Sequence, residues 1–233
     1  MRRVEVLDVG AMEYKAAWEL QERFFQELID RKLRNRKAPP EEREPLKHYF
    51  IICEHPHVYT LGKSGKPEHL LIGPERMQKE GISYFPINRG GDITYHGPGQ
   101  IVGYPILDLD DFFTDIHKYL RLLEEMVILS LADFGISASR SAGETGVWLD
   151  PSTPNARKIC AMGIKASRWI TMHGFAFNHS VDLKYFDYIV PCGIADKAVA
   201  SLQNETNQLP TRQAFINRLL FHFQNLFNCE CHF

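Results

Sequence analysis

Three helical patterns, separated by strand-type segments, constrain the fold of this chain more than any other feature of its sequence. Apolar residues recur at helical spacing from about residue 13 to 34, 111 to 133 and 212 to 227. Each pattern has one apolar face, which a helix in a globular protein buries against other elements. Gly135 follows the second pattern and is a residue that ends helices. Three amphipathic helices therefore have to pack on whatever the intervening segments form.

The intervening segments have the composition and alternation of β-strands. The first strand candidates lie at residues 4–9, 49–53, 82–87 and 101–107. Residues 136–190 are rich in β-type residues, glycine and short polar turns, which indicates further strands and hairpins. No internal repeat or low-complexity linker divides the chain. The order of elements predicts a single α/β (α+β) domain over residues 1–233, with helices packed on a mixed or mostly antiparallel sheet.

Composition excludes several classes of protein. Hydrophobic residues make up 44% and charged residues 24% of the chain, values typical of globular proteins rather than of disordered or fibrous ones. The formal net charge of −2 gives none of the basic excess of a general nucleic-acid binder, so we expect no nucleic-acid partner. No apolar run approaches the ~18 residues of a membrane helix, and acidic residues interrupt the N-terminal segment where a secretory signal would be apolar. We therefore expect a cytoplasmic protein without membrane contact.

The odd number of cysteines and their irregular spacing do not indicate a disulfide framework. The five are Cys53, Cys160, Cys192, Cys229 and Cys231. In a cytoplasmic protein each is either a small buried hydrophobe or a reactive group. Cys229 and Cys231 precede His232 in a C-x-C-H tail, but a structural zinc site needs four ligands and no second cysteine pair lies nearby in the sequence. We predict no metal site.

One segment is dominated by glycine. Residues 89–100, RGGDITYHGPGQ, contain four glycines in twelve residues. Such a loop can approach a ligand with its backbone or offer free N–H groups to an anion, although two tight turns would have the same composition. The segment matches neither the P-loop spacing nor the dinucleotide-binding fingerprint.

Three further segments carry candidate chemistry. Residues 157–165, RKICAMGIK, taken as a strand, place on one face Lys158, Cys160, Met162 and Ile164. A lysine in that setting is either partly desolvated or an ordinary residue extending from a strand edge. Residues 172–178, MHGFAFN, alternate small and large side chains, which suits a strand lining a narrow apolar slot and equally a packed strand. In residues 189–194, IVPCGI, the cysteine is either exposed in a sharp turn or buried as a structural residue.

Together these segments resemble the lipoyl(octanoyl) transferases, which move an octanoyl group from acyl carrier protein to lysines of lipoyl domains. Residues 54–62, EHPHVYTLG, extend the resemblance, which spans roughly residues 48–205. It implies a biotin/lipoate protein ligase-like α/β fold. It implies octanoyl-acyl carrier protein as donor, and as acceptors the lipoyl domains of 2-oxoacid dehydrogenases and the glycine cleavage H protein. It implies no cofactor, neither ATP nor metal, because the acyl thioester is already activated.

The resemblance also implies roles for individual residues. Cys192 is expected to be the nucleophile that forms the acyl-thioester intermediate, and Lys158 its partner, whereas the later Lys165 carries no role. The implied substrate-binding residues form three groups: Arg89, Gly90, Gly91, Asp92, Ile93, Thr94, Tyr95 and His96; Ala161, Met162 and Gly163; and Gly174, Phe175 and Ala176. Backbone N–H groups near Gly90, Gly91 and Gly193 are candidates to meet an oxyanion. His96, rather than His173, is the better candidate to orient the site or donate a hydrogen bond.

Two other functions remain open from the sequence. In an ATP-dependent lipoate or biotin ligase, the Gly-rich loop would bind an acyl-adenylate and Lys158 its phosphate, and no nucleophilic cysteine would be needed. A non-enzymatic protein that holds an acyl chain or a lipoyl domain would keep the apolar slot without a lysine–cysteine pair. An acyl adduct formed without ATP would distinguish the transferase from both.

Overall fold

The three long helices alternate with strand-containing segments in the order that the hydrophobic patterns predict, while two short helices and a final strand in the described residues were not predicted. The computed structural model describes residues 2–190 and 198–233. The strands are β1 (Arg2–Ala11), β2 (His48–Glu54), β3 (Val58–Leu61), β4 (Ser83–Pro86), β5 (Ile93–His96), β6 (Gln100–Ile106), β7 (Val147–Leu149), β8 (Arg157–Ser167), β9 (Ile170–Asn178), β10 (Ala198–Val199) and β11 (Cys229–His232). The α-helices are α1 (Tyr14–Lys37), α2 (Pro74–Lys79), α3 (Ile116–Ala132), α4 (Leu202–Glu205) and α5 (Arg212–Phe227).

The described strands form two sheets. The larger has the order β10-β8-β9-β6-β2-β1-β11, with β7 also paired to β8, and the smaller has the order β4-β3-β5. Strand β1 lies parallel to both β2 and β11, whereas β2, β6, β9 and β8 pair antiparallel in succession. The large sheet is therefore mixed, as predicted. The pairing of Arg2 with Cys229 places the first and last described strands side by side at one edge.

Helices cover both faces of the large sheet. On one face, α3 and α5 bury Leu123, Val127 and Phe223 together with Phe177 of β9. On the other face, α1 buries residues that include Leu28. Each such side chain contributes roughly 1.5–3 kcal/mol when it leaves water. These two layers of apolar packing fix the sheet strands that carry the candidate chemistry.

The ends of α3 follow from local residue chemistry. The side chain of Asp115 accepts a hydrogen bond from the Lys118 backbone N–H at 2.9 Å, which caps the N-terminus and is typically worth ~1 kcal/mol. Gly135 adopts a left-handed φ of 76° just beyond the C-terminus. The predicted helix 111–133 is therefore shorter at its start, because Leu109–Asp111 form a separate 3-10 turn. No helix among residues 2–190 and 198–233 combines the length and the apolar character that crossing a bilayer requires.

Candidate active site

A cavity of about 450 Å³ opens where the two sheets meet along the outer edge of β8. This volume lies within the ~300–1,000 Å³ typical of small-molecule sites. Strands β7 and β10 pair with β8 only as far as Cys160. The cavity is lined by both sheets, by α1 and α3, and by three connecting segments: Tyr14, Arg89, Gly90, Gly91, Asp92, Ile93, Thr94, His96, Gln100, Tyr104, Leu120, Gly143, Glu144, Thr145, Lys158, Ala161, Met162, Gly163, Ile164, His173, Gly174, Phe175, Ala176, Asn178, Phe186 and Val199.

The structure brings three of the sequence segments, residues 89–100, 157–165 and 172–178, to this one cavity. Every residue predicted to bind substrate lines it except Tyr95, and Lys158 lines it as well. Tyr95 is fully buried in the apolar cluster behind the small sheet, where its hydroxyl lies 2.6 Å from Nδ1 of His57 and its ring stacks on Tyr185. Within the motif, Tyr95 therefore contributes to packing rather than to the cavity wall. Cys192 and Gly193 lie outside the described residues.

Backbone hydrogen bonds hold the Gly-rich loop in place. The N–H groups of Gly62, Lys63 and Ser64 donate to the carbonyls of residues 92, 89 and 91, at 3.0–3.2 Å. Gly91 has a left-handed φ of 88°, and a Cβ on Gly62 would lie 2.2 Å from the Gly91 carbonyl oxygen. Only glycines allow this close approach of two chain segments.

One predicted oxyanion donor is already used within the fold. The Gly90 N–H donates to the Ile164 carbonyl at 2.9 Å and thereby closes the loop onto the free edge of β8. Gly90 is therefore not a candidate for an oxyanion, contrary to the sequence-based expectation. The N–H of Gly91 makes no hydrogen bond to another described residue and remains a candidate.

Arg89 anchors the start of the same loop. Its Nη2 donates to the backbone carbonyl and to the hydroxyl of Thr60, both at 2.9 Å, while Nη1 donates to the Gly90 carbonyl at 3.0 Å. The side chain is 8% exposed and lines the cavity. A fixed positive charge therefore lies in the cavity wall.

A chain of hydrogen bonds fixes the tautomer of His96. The Asn178 side-chain amide donates to the Ala200 carbonyl at 2.9 Å, and its oxygen accepts from Nε2 of Gln100 at 3.0 Å. The Gln100 oxygen is thus left to accept from Nδ1–H of His96 at 3.2 Å. Burial, with the nearby His55 and Arg89, holds the pKa of His96 well below its usual range. Neutral His96 therefore uses its one donor within the fold and has Nε2 as an acceptor, 3.5 Å from the Thr60 hydroxyl. Of the two expected roles, this tautomer is compatible with orienting the site and not with donating to a ligand.

Two further histidines are held neutral. His55 donates Nδ1–H to the Met12 carbonyl at 2.7 Å and accepts from the Tyr104 hydroxyl at 2.7 Å, and burial lowers its pKa to about 4. His173 has an unusual left-handed φ of 60°, and its backbone N–H donates to the side-chain oxygen of Gln21 at 3.0 Å. Burial, reinforced by Arg89, lowers the pKa of His173 to about 3.

The lowered pKa values of His55 and His173 predict that the protein loses stability in mild acid. Both pKa values lie below the ordinary 6.5, so the unfolded chain binds more protons than the folded one as the pH falls below about 6.5. Between pH 7 and pH 5 each group should remove about 2 kcal/mol from the free energy of unfolding. Urea unfolding at several pH values measures this slope. His173→Asn, which tolerates the left-handed conformation, should flatten it, and a free energy that does not change between pH 7 and 5 would contradict the assignment.

Lys158 reaches the cavity next to an irregularity in β8. Val147 pairs with Cys160 and Trp148 pairs with Lys158, so Ile159 is an extra residue in β8. Such a bulge interrupts the alternation of side chains along a strand. The Lys158 Nζ lies 4.6 Å from the centre of the Trp148 ring, a cation–π contact that holds the end of the side chain in place.

Cys160 does not share the position of Lys158, although simple alternation placed both on one face. Its side chain is fully buried in the core beneath α3 and α5, and it is not part of the cavity wall. Burial raises the pKa of the Cys160 thiol, as it does for the fully buried Cys53. Neither thiol has the exposure or acidity of a nucleophile. Lys165 also lies outside the wall, with its Nζ 5.0 Å from the centre of the Phe25 ring on α1.

Small residues facing each other across β8 and β9 form an apolar part of the wall. Ala161 pairs with Ala176, and Gly163 pairs with Gly174. A Cβ on Gly174 would lie 2.2 Å from the Gly103 carbonyl oxygen of β6. Glycine at this position is therefore required by strand packing as well as by the width of the slot.

Several lining residues were not singled out from the sequence. Tyr14 comes from the start of α1, far from the quoted motifs, and Tyr104 comes from β6, just beyond the Gly-rich segment. Gly143–Thr145 belong to a loop that the buried Glu124 of α3 holds, since its carboxylate accepts from Gly146 N–H at 2.9 Å and from Arg140 at 2.9 Å. No local sequence pattern predicts these contacts, because each contact joins segments that are distant in the sequence.

Comparisons with known proteins identify the family and the fold. The family described as lipoyl protein ligase A/B catalytic domain matches residues 13–224. The octanoyltransferase of Christiangramia forsetii is 58% identical over 98% of this chain and 97% of its own length. The octanoyltransferase of Flavobacterium psychrophilum is 55% identical over 98% of each chain. The lipoate protein ligase of Thermoplasma acidophilum, at 18% identity, superimposes with a TM-score of 0.71 over 100% of this chain and 86% of its own, which confirms the expected ligase-like fold.

Proposed function

Because this chain belongs to the lipoyl protein ligase A/B catalytic domain family and is an acyltransferase similar to octanoyltransferases, we propose that octanoyl-acyl carrier protein is its donor. The octanoyl group passes through a thioester on Cys192 to a lysine of an apo lipoyl domain, the first step of endogenous protein lipoylation. The acceptors are the lipoyl domains of 2-oxoacid dehydrogenases and the glycine cleavage H protein, in the cytoplasm. The observation that carries the proposal is the convergence of three motif segments, residues 89–100, 157–165 with Lys158, and 172–178, on one cavity.

The cavity wall suits an acyl chain. Ala161, Met162, Phe175 and Ala176 offer apolar surface, while Arg89 and the Gly-rich loop supply polarity elsewhere in the wall. Six buried methylene groups at about 0.8 kcal/mol each give roughly 5 kcal/mol of binding. Exclusion of water from the same slot protects an acyl-enzyme from hydrolysis.

The chemistry consists of two acyl transfers. The Cys192 thiolate attacks the donor's thioester carbonyl, a new C–S bond forms, and the carrier thiolate leaves and takes up a proton. The acceptor lysine amine then attacks the acyl-enzyme, the amide C–N bond forms, and the Cys192 thiolate departs as the amine loses a proton. Each tetrahedral intermediate carries an oxyanion, for which the Gly91 N–H is a candidate donor.

Lys158 supports the thiolate form of Cys192. An ordinary thiol has a pKa near ~8.5, so only a few per cent is ionised at neutral pH. An ammonium nearby favours the thiolate. Val199 pairs with Lys158 in β10–β8, seven residues along the chain from Cys192, and the Lys158 Nζ lies over the Trp148 ring.

Incubation with octanoyl-acyl carrier protein in the absence of ATP tests the proposal. The protein should gain one octanoyl group on the peptide containing Cys192, and hydroxylamine should release it, as it releases thioesters but not amides. Subsequent addition of an apo lipoyl domain should remove the group from the enzyme and place it on the domain. An adduct on Cys53 or Cys160, or acylation of the domain that requires ATP, would contradict the proposal and favour a ligase.

A further inference from the structure

His69 connects the Gly-rich loop, through Asp92, to residues 188–190. It ends a single 3-10 turn, Pro67–His69, between β3 and α2. Its Nδ1–H donates to Oδ2 of Asp92 at 2.6 Å, with 20% of the His69 side chain and 9% of the Asp92 side chain exposed. The other carboxylate oxygen, Oδ1, accepts from the Ile93 N–H at 2.6 Å. The Asp92 carboxylate is thus held on both oxygens, and Asp92 is one of the residues that line the cavity.

The backbone of the same residue holds the chain that leads to Cys192. The His69 carbonyl accepts from the Val190 N–H at 2.8 Å, and the Leu71 N–H donates to the Tyr188 carbonyl at 2.8 Å. Leu70 and Ile189 form an antiparallel bridge between these two bonds. Residues 69–71 therefore pair with residues 188–190 like a short pair of strands. Val190 is two residues before Cys192 in the sequence.

His69 thus forms a hydrogen bond to the Gly-rich loop through its side chain and another to residues 188–190 through its backbone carbonyl. We propose that His69 is a positioning residue, which sets the Gly-rich loop in its working relation to the chain entering the Cys192 segment. His69 acts through Asp92, and it is not one of the described residues that line the cavity. The inference rests on the proposed function, because it assumes that Cys192 carries the acyl group.

Loss of the His69 side chain leaves the surrounding fold largely supported. The Asp92 carbonyl still accepts from Gly62 N–H at 3.2 Å, and the backbone bonds of residues 69–71 do not depend on the imidazole. What disappears is the bond to Oδ2 of Asp92, which leaves the Ile93 N–H on Oδ1 to hold the carboxylate. Misplacement of a binding group by about 1 Å can lower a rate by about 100-fold even when the fold persists.

The position of the donor atom provides a sharp test. The Asn side-chain N–H₂ can take the place of Nδ1–H, whereas the longer Gln side chain carries its donor near the position of Nε2. We expect H69A and H69Q to slow formation of the octanoyl thioester on Cys192 by about tenfold to 100-fold at saturating octanoyl-acyl carrier protein. H69N should recover most of the wild-type rate. Alkylation of Cys192 by iodoacetamide does not use the Gly-rich loop, so its rate should stay within about twofold in all three variants.

A matched histidine elsewhere separates positioning from general stability. His222 Nε2 lies 2.7 Å from Oδ2 of Asp133 on the α3–α5 side of the protein, with 12% of its side chain exposed. H222A removes a similar His–carboxylate pair remote from the cavity and should acylate at the wild-type rate. Acylation of H69Q within about twofold of wild type would overturn the inference, as would equal slowing of H69Q, H69N and H222A in proportion to lost stability. A wild-type protein that gains no octanoyl group would instead remove the proposed function, and the inference with it.

Discussion

Replacement of Cys192 by serine is expected to abolish octanoyl transfer while the protein remains folded. A serine hydroxyl is far less acidic than a thiol and a poorer nucleophile, so the thioester intermediate cannot form at a useful rate. Loss of a nucleophile usually costs several powers of ten, and we expect a decrease of about 10³-fold or more in the transfer rate. Intact-mass analysis of the variant with octanoyl-acyl carrier protein should show no adduct, and thermal unfolding should match the wild type.

The buried thiols provide the control for this experiment. Cys53 and Cys160 are both fully buried, and burial raises the pKa of each thiol. Cys160→Ala should therefore lower stability but still accept one octanoyl group per chain. If Cys192→Ser still gained the octanoyl group, another nucleophile would have to carry the reaction.

Replacement of Lys158 is expected to have the next largest effect. Lys158→Ala removes the positive charge from the cavity wall, so alkylation of Cys192 by iodoacetamide should shift to higher pH. Formation of the acyl-enzyme should slow by about 100-fold, the size of effect typical for loss of a catalytic acid–base or charge-stabilising group. Alkylation rates across a range of pH and single-turnover acylation measure the two effects separately.

Lys158→Arg distinguishes the two roles open to this lysine. Arginine keeps the charge and can stack on Trp148, but it cannot accept a proton because guanidinium stays protonated. An electrostatic role predicts partial rescue of both alkylation and transfer, whereas a general-base role predicts rescue of alkylation alone. Lys165→Ala is the control, since Lys165 lies against Phe25 outside the cavity wall. A Lys158→Ala variant with wild-type thiol titration and transfer would refute the partnership.

The elements that sequence patterns predicted well are those whose stability depends on local periodicity. The final helix spans Arg212–Phe227 in the structure, as its apolar face predicts. The first helix was predicted to end near residue 34 but continues to Lys37, because polar residues at a helix end weaken the periodic signal. The short strands β3, β5 and β11 were not singled out, since their pairing partners decide their existence.

Within the site, the sequence indicated which segments meet but not how each side chain is used. Gly90 and Tyr95 belong to the same motif as His96, yet one closes a backbone bond and the other packs behind the small sheet. The bulge at Ile159 depends on the register between β7 and β8, and the sequence pattern of one strand alone does not determine that register. Tyr104 and His69 reach the site by contacts between distant segments, and no spacing rule finds such contacts.

The parallel pairing of β1 with β11 has a consequence for the order of folding. Arg2 pairs with Cys229, so this contact closes a loop of almost the whole chain. The entropy lost in closing a loop rises with its length, and contacts between distant residues slow folding. Hairpins such as β8–β9 and the local turns of the helices can form while most of the chain is still disordered. The edge of the sheet, where β11 joins β1, is therefore expected to close among the last steps, after the last residues of the described chain have left the ribosome.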